Sequence, residues 1–142
     1  MTAYDSIIKL INLKFSTINT GSETNNIFLK NTDMQIINSD FIDSKGLSTI
    51  QANNSKLILD NTIFSKQNFI IGVIQAFENS NVEILNSQIK NSSSPSAILT
   101  NNSNIKIRNS FFSNNKFKSI VKSYGISVVE FPNDFKKYFD GN

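Results

Sequence analysis

The 142-residue sequence predicts an all-β fold, a single-stranded parallel β-solenoid of about six coils, each about 23 residues long. Three observations predict it. Short apolar stretches alternate with the period of a pleated strand, one Asn recurs inside them at nearly constant spacing, and apolar residues keep fixed offsets from that Asn.

Aligned on the recurring Asn, the segments are IKLINLKF (8–15), MQIINSDF (34–41), LILDNTIF (57–64), VEILNSQI (82–89) and IKIRNSFF (105–112). The residues Asn12, Asn38, Asn61, Asn86 and Asn109 are 26, 23, 25 and 23 residues apart. Four and two places earlier stand Ile8/Leu10, Met34/Ile36, Leu57/Leu59, Val82/Ile84 and Ile105/Ile107; three places later stand Phe15, Phe41, Phe64, Ile89 and Phe112. A second column, Asn31, Asn54, Asn79 and Asn102, precedes the first by seven residues, and each member is followed by Thr or Ser; Asp5-Ser6 stands there in the first coil. Asn is a weak strand former, but it tolerates the left-handed backbone conformation and carries an acceptor and two donors. Both columns therefore read as corners where one strand passes to the next, with stacked amides bonding along the axis as a ladder. The Phe column is expected to stack inward.

A further strand precedes each second-column Asn, with Ile27/Leu29, Ile50/Ala52 and Ile98/Thr100 in matching places. GVIQAFEN (72–79) fits only with one residue inserted after Ala76, which reads as a bulge. The last repeat, SYGISVVEF (123–131), aligns with Ile126 and Val128 inward and Glu130 in the Asn slot. The coils thus occupy 1–131. In 132–142 the spacing of Phe135, Tyr138 and Phe139, after Phe131 and Pro132, predicts a short capping helix ended by Gly141.

Composition narrows the function. The 22 Asn imply many turns, and the regular apolar columns between them argue against disorder. The net charge of +3 is dispersed, with Arg108 the sole Arg, so no clustered basic face suits nucleic acid. Cys and His are absent, which removes thiolate chemistry and leaves the redox compartment open. No apolar run has membrane-spanning length, and MTAYDSIIKL lacks a signal-peptide layout.

The segments NSDF (38–41), NTIF (61–64) and NSFFSNN (109–115) carry a family resemblance. Over about residues 5–131 the chain resembles the right-handed parallel β-helix repeats of the pectate-lyase-like superfamily. FSNN (112–115) and GVIQA (72–76) are similar to the F-x-x-N and G-G-A-I repeats of polymorphic outer-membrane and protist surface proteins. The resemblance implies a right-handed coil and raises polysaccharide chemistry. Lyases of the superfamily use an Arg or Lys base with carboxylate-held calcium, and its hydrolases use clustered Asp.

The outward positions between the Asn columns weigh against that chemistry here. They read Ile7/Lys9/Ile11, Asp33/Gln35/Ile37, Lys56/Ile58/Asp60, Asn81/Glu83/Leu85 and Asn104/Lys106/Arg108. Carboxylates are single per coil and share no column on adjacent coils, so no catalytic residue, metal ligand or cofactor site is expected. Glu83 and Lys106 are expected to form a surface ion pair. The same face places Ile11, Ile37, Leu85 and Val129 in one outward column with Ile58 beside it, which points to burial against another protein chain. Sequons at Asn53, Asn91 and Asn101 are candidate glycosylation sites and lean toward an extracellular or cell-surface location. The variable loops 16–26, 44–48, 65–72, 91–96 and 113–119 would carry any ligand specificity, carbohydrate included. The expectation is a non-catalytic structural or adhesive module; the alternatives are a carbohydrate-binding or polysaccharide-degrading enzyme and a viral or phage fibre segment.

Overall fold

The structure, a computed structural model, describes residues 1–132 and 139–140. The first coil is β1 (Thr2–Tyr4), β2 (Ile7–Ile11) and β3 (Lys14–Ser16). The second is β4 (Ile27–Lys30), β5 (Asp33–Ile37) and β6 (Asp40–Ile42). A two-residue strand β7 (Lys45–Gly46) leads into β8 (Ile50–Asn53), β9 (Lys56–Asp60) and β10 (Ile63–Ser65). The next coil repeats this plan with β11 (Asn68–Phe69), β12 (Gly72–Phe77), β13 (Asn81–Leu85) and β14 (Gln88–Lys90). The last passes are β15 (Ser93–Asn101), β16 (Asn104–Arg108), β17 (Phe111–Ser113), β18 (Lys116–Tyr124), β19 (Val128–Glu130) and β20 (Phe139–Asp140).

Each strand pairs in parallel with its equivalents one coil away, giving three sheets. Sheet A runs β1-β4-β8-β12-β15-β18 and also takes in β7 and β11; sheet B runs β2-β5-β9-β13-β16-β19; sheet C runs β3-β6-β10-β14-β17-β20. The fold is a parallel β-solenoid of about five turns rather than about six, and among the described residues of the final pass Phe139–Asp140 lie on sheet C. No helix occurs among the described residues. Of the expected capping helix, 133–138 and 141–142 lie outside the described residues. Phe139 and Asp140 instead pair with Phe112 and Ser113.

Register places identical chemistry above itself. The inward columns Met34–Leu57–Val82–Ile105 and Ile36–Leu59–Ile84–Ile107 are fully buried along sheet B. Burying each such side chain contributes about 1.5–3 kcal/mol before entropy is counted. Phe15, Phe41 and Phe64 stack face to face, with ring centroids 4.6 and 4.9 Å apart and planes within 8°. That separation is the strand spacing of about 4.8 Å, so the backbone repeat sets the ring stack.

Three corners close each coil, and all need the left-handed conformation. Between sheets B and C it falls on Asn12, Asn38, Asn61, Asn86 and Asn109, with φ of 55°, 50°, 49°, 49° and 48°. Between A and B it falls on Asp5, Asn31, Asn54, Glu78, Asn79 and Asn102, and Gly125 adopts it in the last coil. Between C and A it falls on Thr17, Asp43, Lys66, Asn91 and Asn114, a column not legible as an Asn repeat. The residue after most corners turns inward and is usually a buried hydroxyl, the exposed Leu13 and Ile126 being exceptions. Ser87 shows the pattern: its hydroxyl donates to Leu85 O at 2.6 Å and accepts the Thr62 amide at 3.0 Å. At the A–B corner the Ser55, Ser80 and Ser103 hydroxyls likewise accept the Thr32, Ser55 and Ser80 backbone amides of the coil beside them. This buried column pairs backbone groups that the bend takes out of the ladder, groups costly to leave unmet.

Two coils carry an extra corner residue. Phe77 pairs in register with Asn53 and Asn101, so the insertion lies after Phe77, at Glu78–Asn79, and not as a bulge after Ala76. In the last coil Tyr124 pairs with Asn101, but Val128 pairs with Asn104, so one residue is again added. Ile126 is pushed out and is 89% exposed, Val128 points outward, and Val129 packs on the core opposite Ile105. Val129 is therefore no part of the outward apolar column, and Glu130 aligns with Lys106 rather than with Asn109.

Candidate functional site

The outward side of sheet B presents apolar and charged side chains together on one regular face. Its five-residue strands are in exact alternation, so three outward columns run along the axis. The first is Ile7, Asp33, Lys56, Asn81, Asn104 and Val128; the second is Lys9, Gln35, Ile58, Glu83, Lys106 and Glu130; the third is Ile11, Ile37, Asp60, Leu85 and Arg108. Ile11, Ile37 and Leu85 share the third column, interrupted by Asp60, and Ile58 stands in the second. Ile7 is 90% exposed and Ile11 44%, while Ile37, Ile58 and Leu85 are half-buried by their neighbours. Two shallow grooves mark the face. One of about 190 Å³ is lined by Ile7, Lys9, Asp33, Gln35, Lys56 and Ile58. Another of about 500 Å³ is lined by Lys56, Asn81, Glu83, Asn104, Lys106 and Glu130, among others.

Charge on this face is mixed and mostly unpaired among the described residues. Lys106 Nζ reaches Glu130 at 3.9 Å, so the ion pair forms with the next coil rather than with Glu83. Lys9, Asp33, Lys56 and Glu83 make no ion pair or side-chain hydrogen bond to another described residue. Asp60 differs, since its Oδ1 accepts Asn86 Nδ2 at 2.9 Å and the carboxylate is drawn toward the corner. Arg108 is exposed and has no carboxylate partner among the described residues. Among the described residues no group of three His, Cys, Asp or Glu side chains could hold a metal ion, and no helix is long and apolar enough to cross a membrane.

The Asn columns are architecture at the edges of this face. Asn61 Nδ2 donates to Asn38 Oδ1 at 2.8 Å and Asn109 Nδ2 to Asn86 Oδ1 at 3.3 Å, but Asn86 turns to Asp60, so the amide ladder is discontinuous. At the A–B corner Asn54 bonds Asn31 and Asn31 bonds Asp5, at 2.9 and 3.0 Å. The inserted Asn79 breaks that run: its amide donates to Asn102 O at 2.7 Å, and Asn102 Oδ1 accepts the Ile126 amide. Of the sequons, Asn53 is half-buried and accepts Gln51 Nε2 at 2.9 Å, whereas Asn91 and Asn101 are exposed.

Sheet A presents a contrasting outer side, whose polar groups satisfy one another. Asn25 bonds Gln51 at 2.6 Å and accepts Ser48, and Gln51 bonds Asn53. The first loop, expected to be variable, is seated here. Its Thr20 bonds Thr24 O and Asn26, and it lies so close over Gly46 that a Cβ there would collide with Thr20 Oγ1.

The fold defines a β-solenoid repeat protein. No protein-family model matches the chain, and no curated protein matches it either.

Proposed function

We propose that the chain is a non-catalytic structural or adhesive module, a right-handed β-helix of the pectate-lyase-like kind. It works in an extracellular or cell-surface assembly and meets another protein chain through sheet B. The observation that carries this reading is the apolar set Ile7, Ile11, Ile37, Ile58 and Leu85 on one outward face. Water-facing solenoid positions are ordinarily polar, and outward apolar side chains recurring on successive coils of one face mark an interaction surface. The exposed sequons Asn91 and Asn101 support an extracellular setting.

The rival enzyme reading is tested directly. The chain is incubated with uronate polymers and calcium, and new unsaturated or reducing ends are measured. No release above the buffer rate is expected, and turnover abolished by Arg108→Ala would overturn the proposal in favour of a lyase.

A further inference from the structure

We propose that the partner of sheet B is a second copy of this chain, packed face to face with its strands parallel and its coil order reversed. The inference rests on reading sheet B as an interface and adds the identity of the partner. A symmetric pair presents the same patch twice, so the patch must complement itself. One two-fold axis achieves this. It lies along the strand direction, between the second and third coils, and it sets the first coil over the partner's fourth and the second over the third.

Under that operation each column meets itself in reverse order. Lys9 faces Glu83, Asp33 faces Lys56, and Ile11 faces Leu85, and each contact occurs twice. These four charged side chains alternate in sign along the axis, and none has an ion-pair or side-chain hydrogen-bond partner among the described residues, as is also true of Arg108 on the same face. Ile37 falls opposite Asp60, whose carboxylate is held aside by Asn86. The other face-to-face axis, along the solenoid, sets Lys9 on Lys9 and Glu83 on Glu83. Like charges directly opposed disfavour it. Centring the first axis on the second or third coil opposes Asp33 with itself or Lys56 with itself. Among centrings along this axis, the one between the second and third coils alone joins two different opposite-charge pairs, so charge complementarity favours it.

The patch is small. Four coils at about 4.8 Å and strands of five residues at about 3.3 Å give a footprint of about 19 by 17 Å. That is about 320 Å² a side, below the size of stable specific interfaces, so the dimer is weak and concentration-dependent.

The test is sedimentation velocity on the full chain over a micromolar-to-millimolar series at low salt. The expected result is a monomer–dimer equilibrium that weakens as salt is added. Lys9→Glu and Glu83→Lys should each raise the dissociation constant about tenfold or more, and the double exchange should restore it. A chain that stays monomeric, a Lys9→Glu variant that dimerises like the parent, or a double exchange as weak as either single would overturn the proposal. Circular dichroism checks that each variant is folded; should one fail, Asp33→Lys with Lys56→Asp supplies an independent exchange with the same expectation. A monomer without turnover on uronate polymers removes only the dimer, whereas turnover removes the non-catalytic reading.

Discussion

The corner between sheets B and C and the corner between C and A have the same backbone but different side chains. In the first, the left-handed residue is Asn in all five coils, and Ser or Thr follows in four of them, Leu13 being the exception. In the second, Thr17, Asp43, Lys66, Asn91 and Asn114 hold φ between 52° and 56°, and Ile18, Ser44, Gln67, Ser92 and Asn115 follow. The bend therefore requires a left-handed residue and, where backbone groups turn inward, a polar group of suitable length. It does not require Asn. Where more room must be spanned, Gln67 Nε2 reaches Phe41 O at 2.9 Å and Ser65 O at 2.7 Å, and Asn115 Nδ2 reaches Ile89 O at 2.9 Å. The regular corner repeats one solution, and the irregular corner adjusts the side chain in each coil.

The largest test of that difference is in the core behind each corner. Phe64 sits in the ring stack after the regular corner, and Phe69 follows the irregular one between Gly46 and Ser94 in register. Phe64→Ala should cost about 3–5 kcal/mol in urea unfolding. Phe69→Ala should cost less by about 0.5–1.5 kcal/mol, since it forfeits no ring stacking. Equal losses would mean that the regular column gains nothing from its repetition.

Next in size are the buried hydroxyls, for which the corners should behave alike. Ser87→Ala strands the Thr62 amide and Ser92→Ala strands the Gln67 amide, while the Leu85 and Lys90 carbonyls keep the Asn61 and Lys66 amides. Each should lower stability by about 1–3 kcal/mol. A cost confined to Ser87 would show that only the regular corner depends on its hydroxyl.

These hydroxyls also explain what the sequence could reveal. The three-sheet plan and the inward columns were legible because stacked coils force like residues into register. Aligning on Asn failed at Val129 because an exposed corner tolerates an extra residue, as at Ile126 and Glu78–Asn79. The buried hydroxyl tolerates no such shift. Ser6, Thr32, Ser55, Ser80, Ser103 and Ser127 each precede the first inward residue of sheet B by two places, from Ile8 to Val129. Alignment on that column would have placed Val129 inward. The third corner stayed hidden because its left-handed residues share a conformation and no chemistry. The charge pattern on sheet B was present in the sequence, but its lack of partners within the chain required the side-chain geometry.

The smallest effect bears most directly on conformation. Lys66 holds φ of 56° and Asn61 holds φ of 49°, and both are exposed. A branched or long side chain in this region costs roughly 1–2 kcal/mol, and Gly removes that cost while adding freedom to the unfolded chain. Lys66 makes no side-chain hydrogen bond or ion pair to another described residue, so Lys66→Gly should stabilise the fold by about 0.5–1 kcal/mol. Asn61 already tolerates the conformation, and Asn61→Gly would lose its bond to Asn38, so that change should destabilise by about 0.5 kcal/mol. The two substitutions are thus expected to shift the urea midpoint in opposite directions. If both stabilise, the amide bonds along the regular corner contribute nothing, and Asn is present there for its backbone preference alone.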